Sequence, residues 1–342
     1  MKFWRLLYSR TPEIRDTAGR VRPGSIASLE RVRLGGIDQT VLLRGHDASR
    51  PVLLFLHGGP GGSAMPLVHE FCDRLEERFV FVHWDQRGAG KSWSPDIPRE
   101  SMTEGQLVQD CAELTHWLCD RFGQKKVFLV GHSWGTQLGL RAVVRYPDLF
   151  EAYAAVSQVV NARRAEAISW QFALDGARRA GDKAREKRLR SLHPPGYDGR
   201  VKDLLFQRNC VAKYGGSFCD QAVDKALFRK YFESHEYSLG DLRRLKKGSV
   251  WSLAAMWVQH LDWDAIAQAR SLAVPVTFLH GRCDRVTPAE LVQEYFDQLQ
   301  APRKKLIWFE RSGHCPLFEE PGLFQQTLIN EFLPAPGRER GT

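Results

Sequence analysis

The chain has 342 residues, 43% of them hydrophobic, and its 10 Trp and 19 Phe suffice for a sizeable core. No run approaches the ~20 apolar residues of a membrane span, and we read no signal peptide at the start of the chain. The seven cysteines lack Cys-x-x-Cys spacing, which argues against a zinc site and a disulfide framework. We therefore expect a cytoplasmic protein in which only Cys210 and Cys219 could pair locally.

Apolar, β-rich runs alternate with helical patterns on both sides of a different middle segment. The predicted strands are a hairpin over residues 25–45 and single strands at 51–56, 79–84, 127–130, 151–156, 274–279 and 304–309. The predicted helices are residues 70–78, 103–123, 136–146, 288–299 and 322–332. This alternation predicts an α/β fold with a doubly wound, mostly parallel sheet.

The middle segment, residues 158–273, interrupts this alternation. Helical patterns at residues 165–180, 223–233 and 249–260 predict an inserted, mainly helical cap. Residues 161–250 hold 20 Lys and Arg against 11 Asp and Glu, so they account for the whole net charge of +9. The predicted domains are therefore a core in two parts, residues 1–157 and 274–342, and the cap between them.

One turn in the core carries a recognisable motif. The pentapeptide Gly131-His132-Ser133-Trp134-Gly135 lies between a predicted buried strand and a predicted helix. A strand-to-helix turn of this kind is so tight that the positions two before and two after the serine must be small. It exposes the serine hydroxyl above the sheet edge, so Ser133 is the predicted nucleophile.

A second glycine-rich stretch imitates a nucleotide-binding loop but does not complete its pattern. Residues 88–92 read Gly-Ala-Gly-Lys-Ser, whereas a P-loop also requires glycine at the position of Asp85. Pro95 and Pro98 also prevent the long helix that should follow. We expect a rigid loop here, and we predict neither a cofactor nor a metal site.

Three residues after three strands form a predicted catalytic group. Ser133, Asp284 and His314 follow the strands at 127–130, 274–279 and 304–309, in the chain order nucleophile, acid, histidine. A serine hydroxyl needs a base, and histidine, with an unperturbed pKa of ~6.5, suits that role. The alternative use of the acid is a salt bridge from Asp284 to Arg282 or Arg285.

Three motifs together resemble one branch of a known superfamily. They are His57-Gly58-Gly59-Pro60-Gly61-Gly62, the Asp85-Gln86-Arg87-Gly88 stretch and the Gly131–Gly135 pentapeptide. They are similar to the proline iminopeptidase branch of the α/β-hydrolase superfamily. The resemblance implies a doubly wound α/β-hydrolase core with a cap, Ser133 as nucleophile, and Asp284 and His314 as its partners. It also implies oxyanion N–H groups from Trp134 and from Gly59 or Gly58.

The resemblance implies, too, that cap glutamates bind a substrate's free N-terminal ammonium. Glu166, Glu233 and Glu236 are the candidates, with Trp257 as a further substrate contact. The expected function is a serine hydrolase that releases an N-terminal residue, proline-like or otherwise small and apolar, from peptides or amides through an acyl-enzyme. The alternatives are an esterase, thioesterase or amidase on a small acyl substrate, or a non-catalytic small-ligand binder. Neither nucleic acid nor membrane is an expected partner.

Overall fold

An eight-stranded sheet lies at the centre of this computed structural model, which describes residues 8–333. The strands are β1 (Ile26–Leu34), β2 (Ile37–Gly45), β3 (Val52–Leu56), β4 (Val80–Asp85), β5 (Val127–His132), β6 (Phe150–Val156), β7 (Val276–Gly281) and β8 (Lys304–Phe309). Their order across the sheet is β1-β2-β4-β3-β5-β6-β7-β8. Because β3, β5, β7 and β8 are parallel, their carboxyl ends meet at one edge, where ligands bind in such sheets.

The only antiparallel pairings in the described sheet involve the predicted hairpin. Strand β1 pairs with β2, and β2 pairs with β4, both antiparallel. Gly35 and Gly36 turn the chain between β1 and β2 with φ of 50° and 81°, which only glycine adopts at little cost. The mostly parallel sheet predicted from the sequence is therefore confirmed.

Helices cover both faces of the sheet. They are α1 (Asp73–Arg78), α2 (Glu104–Phe122), α3 (Trp134–Arg145), α4 (Ala162–Arg179), α5 (Lys183–Arg190), α6 (Val201–Lys213), α7 (Gln221–Lys230), α8 (Leu239–His260), α9 (Ala265–Gln268), α10 (Ala289–Gln298), α11 (Pro316–Glu319) and α12 (Pro321–Phe332). One apolar cluster contains the buried faces of α2 and α3, and a second contains those of α1 and α12. Within residues 8–333, no helix is both long and apolar enough to cross a membrane.

The segment between β6 and β7 is helical, as predicted, but its helices differ in detail. Helices α5 and α6 were not predicted, because the sequence of α5, KAREKRLR, has almost no apolar stripe. Helix α8 begins at Leu239, ten residues before the predicted start, because Ser238 and Asp241 form a capping box there. The domain boundaries at residues 157/158 and 273/274 stay predictions, and residues 1 and 342 lie outside the described part.

Candidate active site

Ser133 lies at a tight turn between β5 and α3. Its φ of 55° and ψ of −126° are strained for a residue with a side chain. A Cβ on Gly131 would come 2.5 Å from the Gly135 oxygen, and a Cβ on Gly135 would come 2.2 Å from the Leu56 oxygen. Both positions therefore require glycine, as the sequence predicted, and the turn holds the serine at the sheet edge.

A chain of hydrogen bonds joins Ser133, His314 and Asp284. His314 Nε2 lies 2.8 Å from Ser133 Oγ, and His314 Nδ1 lies 2.9 Å from Asp284 Oδ2. Ser133 follows β5, Asp284 follows β7 and His314 follows β8, so the three meet where those strands end. In this geometry the imidazole can accept the serine proton while the carboxylate fixes its tautomer.

The Asp284 carboxylate is fully buried and surrounded by donors. It accepts the N–H groups of Val286 and Thr287 at 2.8 and 2.9 Å, and the Thr287 hydroxyl at 2.6 Å. Burial by itself raises the pKa of Asp284, but the charge of His314 and these hydrogen bonds hold that pKa below its ordinary value. The carboxylate is therefore ionised at neutral pH, where it can orient the His314 imidazole.

Neither neighbouring arginine takes Asp284 away from His314. Arg282 pairs with Glu310 at 3.1 Å, and Arg285 pairs with Glu290 at 3.8 Å. Both arginines thus pair with other carboxylates, and neither forms the alternative salt bridge to Asp284.

Two residues hold the backbone of His314 in place. His132 Nε2 lies 2.9 Å from the His314 carbonyl oxygen, which also accepts the Ser157 hydroxyl at 2.9 Å. Burial, together with the charge of His314, lowers the pKa of His132 to about 3, so His132 stays neutral and donates this bond from Nε2. Ser157 and Thr287 are not among the site residues predicted from the sequence. The only signal for Thr287 was its place three residues after Asp284.

The loop after β3 lies against the nucleophile. A Cβ on Gly58 would come 3.1 Å from Ser133 Cβ, so a larger residue here would have to displace its neighbours. Gly59 and Trp134 line the same cavity as Ser133, whereas Gly58 is absent from that lining. As the first residue of α3, Trp134 has an N–H without a partner one turn earlier in the helix. Of the three residues predicted to supply oxyanion N–H groups, Gly59 and Trp134 therefore line the cavity around Ser133.

A small cavity of about 60 Å³ contains Ser133. Its apolar wall includes Val159, Ala162, Ala165 and Trp257, and its polar groups include Glu166 and Arg208. Trp257 and Glu166 were both expected to contact substrate, and the structure brings both to the cavity.

The Glu166 carboxylate is buried and paired. Arg208 donates to both of its oxygens, to Oε2 at 3.0 Å, and the Tyr197 hydroxyl donates to Oε2 at 3.0 Å. Arg208 and Tyr197 were missed because they lie 42 and 31 positions from Glu166 in the sequence, with no local pattern connecting them.

The other two candidate glutamates are elsewhere. The side chain of Glu233 is 58% exposed and pairs with Lys230, and Glu236 is fully buried against His69 at 2.9 Å. Neither residue lines the cavity around Ser133. The structure therefore leaves Glu166 as the candidate for an ammonium ligand among the three, and the expectation for Glu233 and Glu236 is corrected.

The cysteine pairing also differs from the expectation. Cys219 forms a disulfide with Cys283, 64 positions away, whereas Cys210 is free and buried. Sequence spacing could not reveal this pair, because the fold brings the α6–α7 loop against the residue before Asp284. In the same loop, the carbonyl oxygen of Ser217 accepts the N–H of His314 at 2.7 Å.

Comparisons with known proteins agree with this fold. Residues 51–321 match the family model described as the alpha/beta hydrolase fold. A probable aminopeptidase of Bacillus subtilis (strain 168), YbaC, is 33% identical over 305 residues, which cover 89% of this chain and 96% of that protein. The proline iminopeptidase of Lactobacillus delbrueckii subsp. bulgaricus is 24% identical, with 84% and 92% covered.

Solved structures show the same fold. The proline iminopeptidase of Mycobacterium smegmatis superposes with a TM-score of 0.64 at 20% identity, and the match covers 89% of this chain and 97% of that one. The family match extends over most of the chain, and it includes the strands and turns that hold Ser133, Asp284 and His314. The chain therefore belongs to the α/β-hydrolase fold family, in its proline iminopeptidase-like branch.

Proposed function

We propose that the protein is a serine hydrolase that removes a small apolar residue with a free α-amine from the N-terminus of a short peptide. One observation carries this proposal: the hydrogen-bonded chain of Ser133, His314 and Asp284 borders a cavity that also contains the buried carboxylate of Glu166. The first feature supplies a nucleophile, and the second supplies an anion for the substrate ammonium.

The proposed reaction passes through an acyl-enzyme. His314 Nε2 takes the proton of Ser133 as its oxygen attacks the scissile carbonyl carbon, and Asp284 stabilises the resulting imidazolium. The N–H groups of Gly59 and Trp134 stabilise the oxyanion, each donor being worth ~3–4 kcal/mol in comparable sites. His314 then protonates the leaving amine. It next activates a water that cleaves the Ser133 ester and releases the amino acid.

Glu166 has room for one more donor. A carboxylate has about four acceptor positions, and the hydrogen bonds from Arg208 and Tyr197 occupy three of them. A substrate ammonium can take the fourth. Because Glu166 is buried, this bond is stronger than one at the surface.

The size of the cavity supports a small acyl residue. About 60 Å³ corresponds to roughly four to six water-sized groups, at 10–15 Å³ each. Val159, Ala162 and Ala165 line it, so an apolar side chain of a few atoms fits and a large aromatic one does not. The names of the relatives, a probable aminopeptidase and a proline iminopeptidase, agree with this substrate class.

Paired substrates test the proposal. Alanyl and prolyl arylamides are compared with their N-acetylated forms, and the Ser133→Ala variant serves as the blank. We expect the free-amine forms to have a kcat/KM at least tenfold higher, as one charge-assisted hydrogen bond of about 1.5–3 kcal/mol predicts. Equal cleavage of both forms, or a preference for the acetylated forms, would contradict the proposed aminopeptidase activity.

The second candidate is an esterase, thioesterase or amidase that acts on an uncharged small acyl group. One observation favours it: Arg208 already neutralises the charge of Glu166. Acetyl and propionyl esters added to the same panel distinguish the two candidates, since an esterase cleaves them without any free amine.

A further inference from the structure

An apolar groove of about 740 Å³ lies beside the loop that follows β3. Its wall is formed by residues of α6, α7 and α8, by the turn after α7, and by Gly62 and Ser63. Several large apolar side chains in it are exposed to solvent: Leu205 by 38%, Phe228 by 67%, Phe232 by 48% and Val250 by 42%. An exposed apolar surface of this kind on a monomer generally marks a binding site.

The groove is close to Ser133 through the loop that both cavities share. Gly59 lines the small cavity, and Gly62 lines the groove. The Gly62 N–H donates to the Gly58 oxygen at 3.1 Å, and a Cβ on Gly58 would lie 3.1 Å from Ser133 Cβ. The loop is therefore folded tightly, and its groove wall lies within roughly 10 Å of the nucleophile, a distance spanned by about three extended residues.

Two cationic side chains line the groove. Arg243 and Lys246 are three positions apart on α8, so they share one face, and both are exposed. Among the described residues, neither forms a salt bridge, whereas Arg244 on the same helix pairs with Asp241. No acidic side chain belongs to the groove lining. The site thus combines an apolar surface with an uncompensated positive charge.

We propose that this groove binds the leaving group of the substrate, a dipeptide or tripeptide with an apolar side chain and a free C-terminal carboxylate. The inference rests on the proposed function, in which the small cavity takes the residue to be released. The groove volume falls in the range of clefts that hold drug-sized ligands, which leaves room for two to three residues. Leu205, Phe228, Phe232 and Val250 contact the apolar side chain, and Arg243 and Lys246 attract the carboxylate.

Binding to the Ser133→Ala variant tests the groove independently of peptidase activity. The probe is acetyl-Leu-Phe with a free carboxylate, compared by calorimetry with acetyl-Leu-Phe-amide, because neither contains an amine for Glu166. We expect the acid to bind about threefold to tenfold more tightly than the amide, as two exposed ion pairs predict. Arg243→Gln and Lys246→Gln should each reduce this ratio.

Matched variants separate this site from general electrostatic attraction. Lys247→Gln removes the same charge from an exposed position of α8 outside the groove lining, and should leave the ratio unchanged. Val250→Asp places a carboxylate in the groove and should weaken the acid more than tenfold. Equal affinities for acid and amide, an equal effect of Lys247→Gln, or tighter binding of decanoate than of the peptide acid would overturn the inference.

Kinetic measurements then distinguish a failure of the inference about the groove from a failure of the proposed function. If free-amine peptides are cleaved but their KM does not depend on the C-terminal carboxylate, the inference about the groove fails and the proposed function stands. If the acid probe binds in the groove but no free-amine peptide is cleaved, the proposed function fails, and the groove is retained as an anion-binding apolar site.

Discussion

Arg208 donates two hydrogen bonds to the carboxylate of Glu166, and both side chains line the cavity that contains Ser133. Glu166 brings a carboxylate into the cavity next to the nucleophile, and its pairing with Arg208 limits the cost of burying it. Removing the Glu166 charge therefore tests what this carboxylate does for the substrate.

The Glu166→Gln variant should lose affinity for the substrate amine. We expect KM for a free-amine arylamide to rise about tenfold to a hundredfold with a smaller change in kcat, because one charge-assisted hydrogen bond is lost. The N-acetylated substrate is the control, and its residual hydrolysis should change little. An equal loss for both substrates would mean that Glu166 only supports the fold around Arg208.

The Asp284→Asn variant should lose about 10⁴-fold in turnover, because the histidine tautomer is no longer enforced. The matched control is Glu310→Gln, which removes an exposed carboxylate that pairs with nearby Arg282. This control should keep full turnover. Comparable turnover in Asp284→Asn and the parent would show that another group orients His314.

The Cys219–Cys283 disulfide should stabilise the fold. It links residues 64 positions apart, and a cross-link of that length is worth about 2–4 kcal/mol of the free energy of unfolding. Cys219→Ser should therefore lower the denaturation midpoint, and a dithiol should lower it equally in the parent. A dithiol should have no further effect on Cys219→Ser. An unchanged midpoint in both would show that the bond does not contribute to stability.

His83 should make the fold sensitive to acid. Burial, with a contribution from His57, holds the pKa of His83 well below its ordinary value, so the folded state stays neutral there while the unfolded chain gains a proton below pH ~6.5. The contribution of neutral His83 to the free energy of unfolding is thus complete above pH ~6.5. It decreases as the pH falls, by up to about 1.4 kcal/mol per pH unit.

The His83→Leu variant should weaken this dependence. The ring of His83 lies 5.1 Å from that of Phe55, so leucine suits the site. Thermal unfolding at pH 7 and pH 5 should show a smaller drop in Tm for His83→Leu than for the parent. His116→Gln, at an exposed position of α2, should match the parent. Identical drops in all three proteins would assign the acid sensitivity to other groups.

The residues of the hydrogen-bonded chain could be found from the sequence for a physical reason. Ser133, Asp284 and His314 each follow a strand within a few residues, and parallel strands end at a common edge. The glycines around Ser133 carried a further signal, because a Cβ at Gly131 or Gly135 would clash with backbone atoms. Local sequence thus determines this part of the site.

The substrate cavity could not be predicted in the same way. Glu166, Glu233 and Glu236 look alike in the sequence, and only tertiary structure assigns the first to Arg208, the second to Lys230 and the third to His69. The groove that contains Arg243 and Lys246 likewise depends on how three helices pack. Such contacts join distant positions, and no periodicity encodes them.

The most direct test of the central claim is covalent labelling of Ser133 by a fluorophosphonate, followed by peptide mapping. We expect one label per chain, on Ser133, that is absent in Ser133→Ala and forms much more slowly in Asp284→Asn. A parent protein that does not react, or that carries the label at another serine, would contradict the assignment of Ser133 as an activated nucleophile and favour a non-catalytic ligand binder.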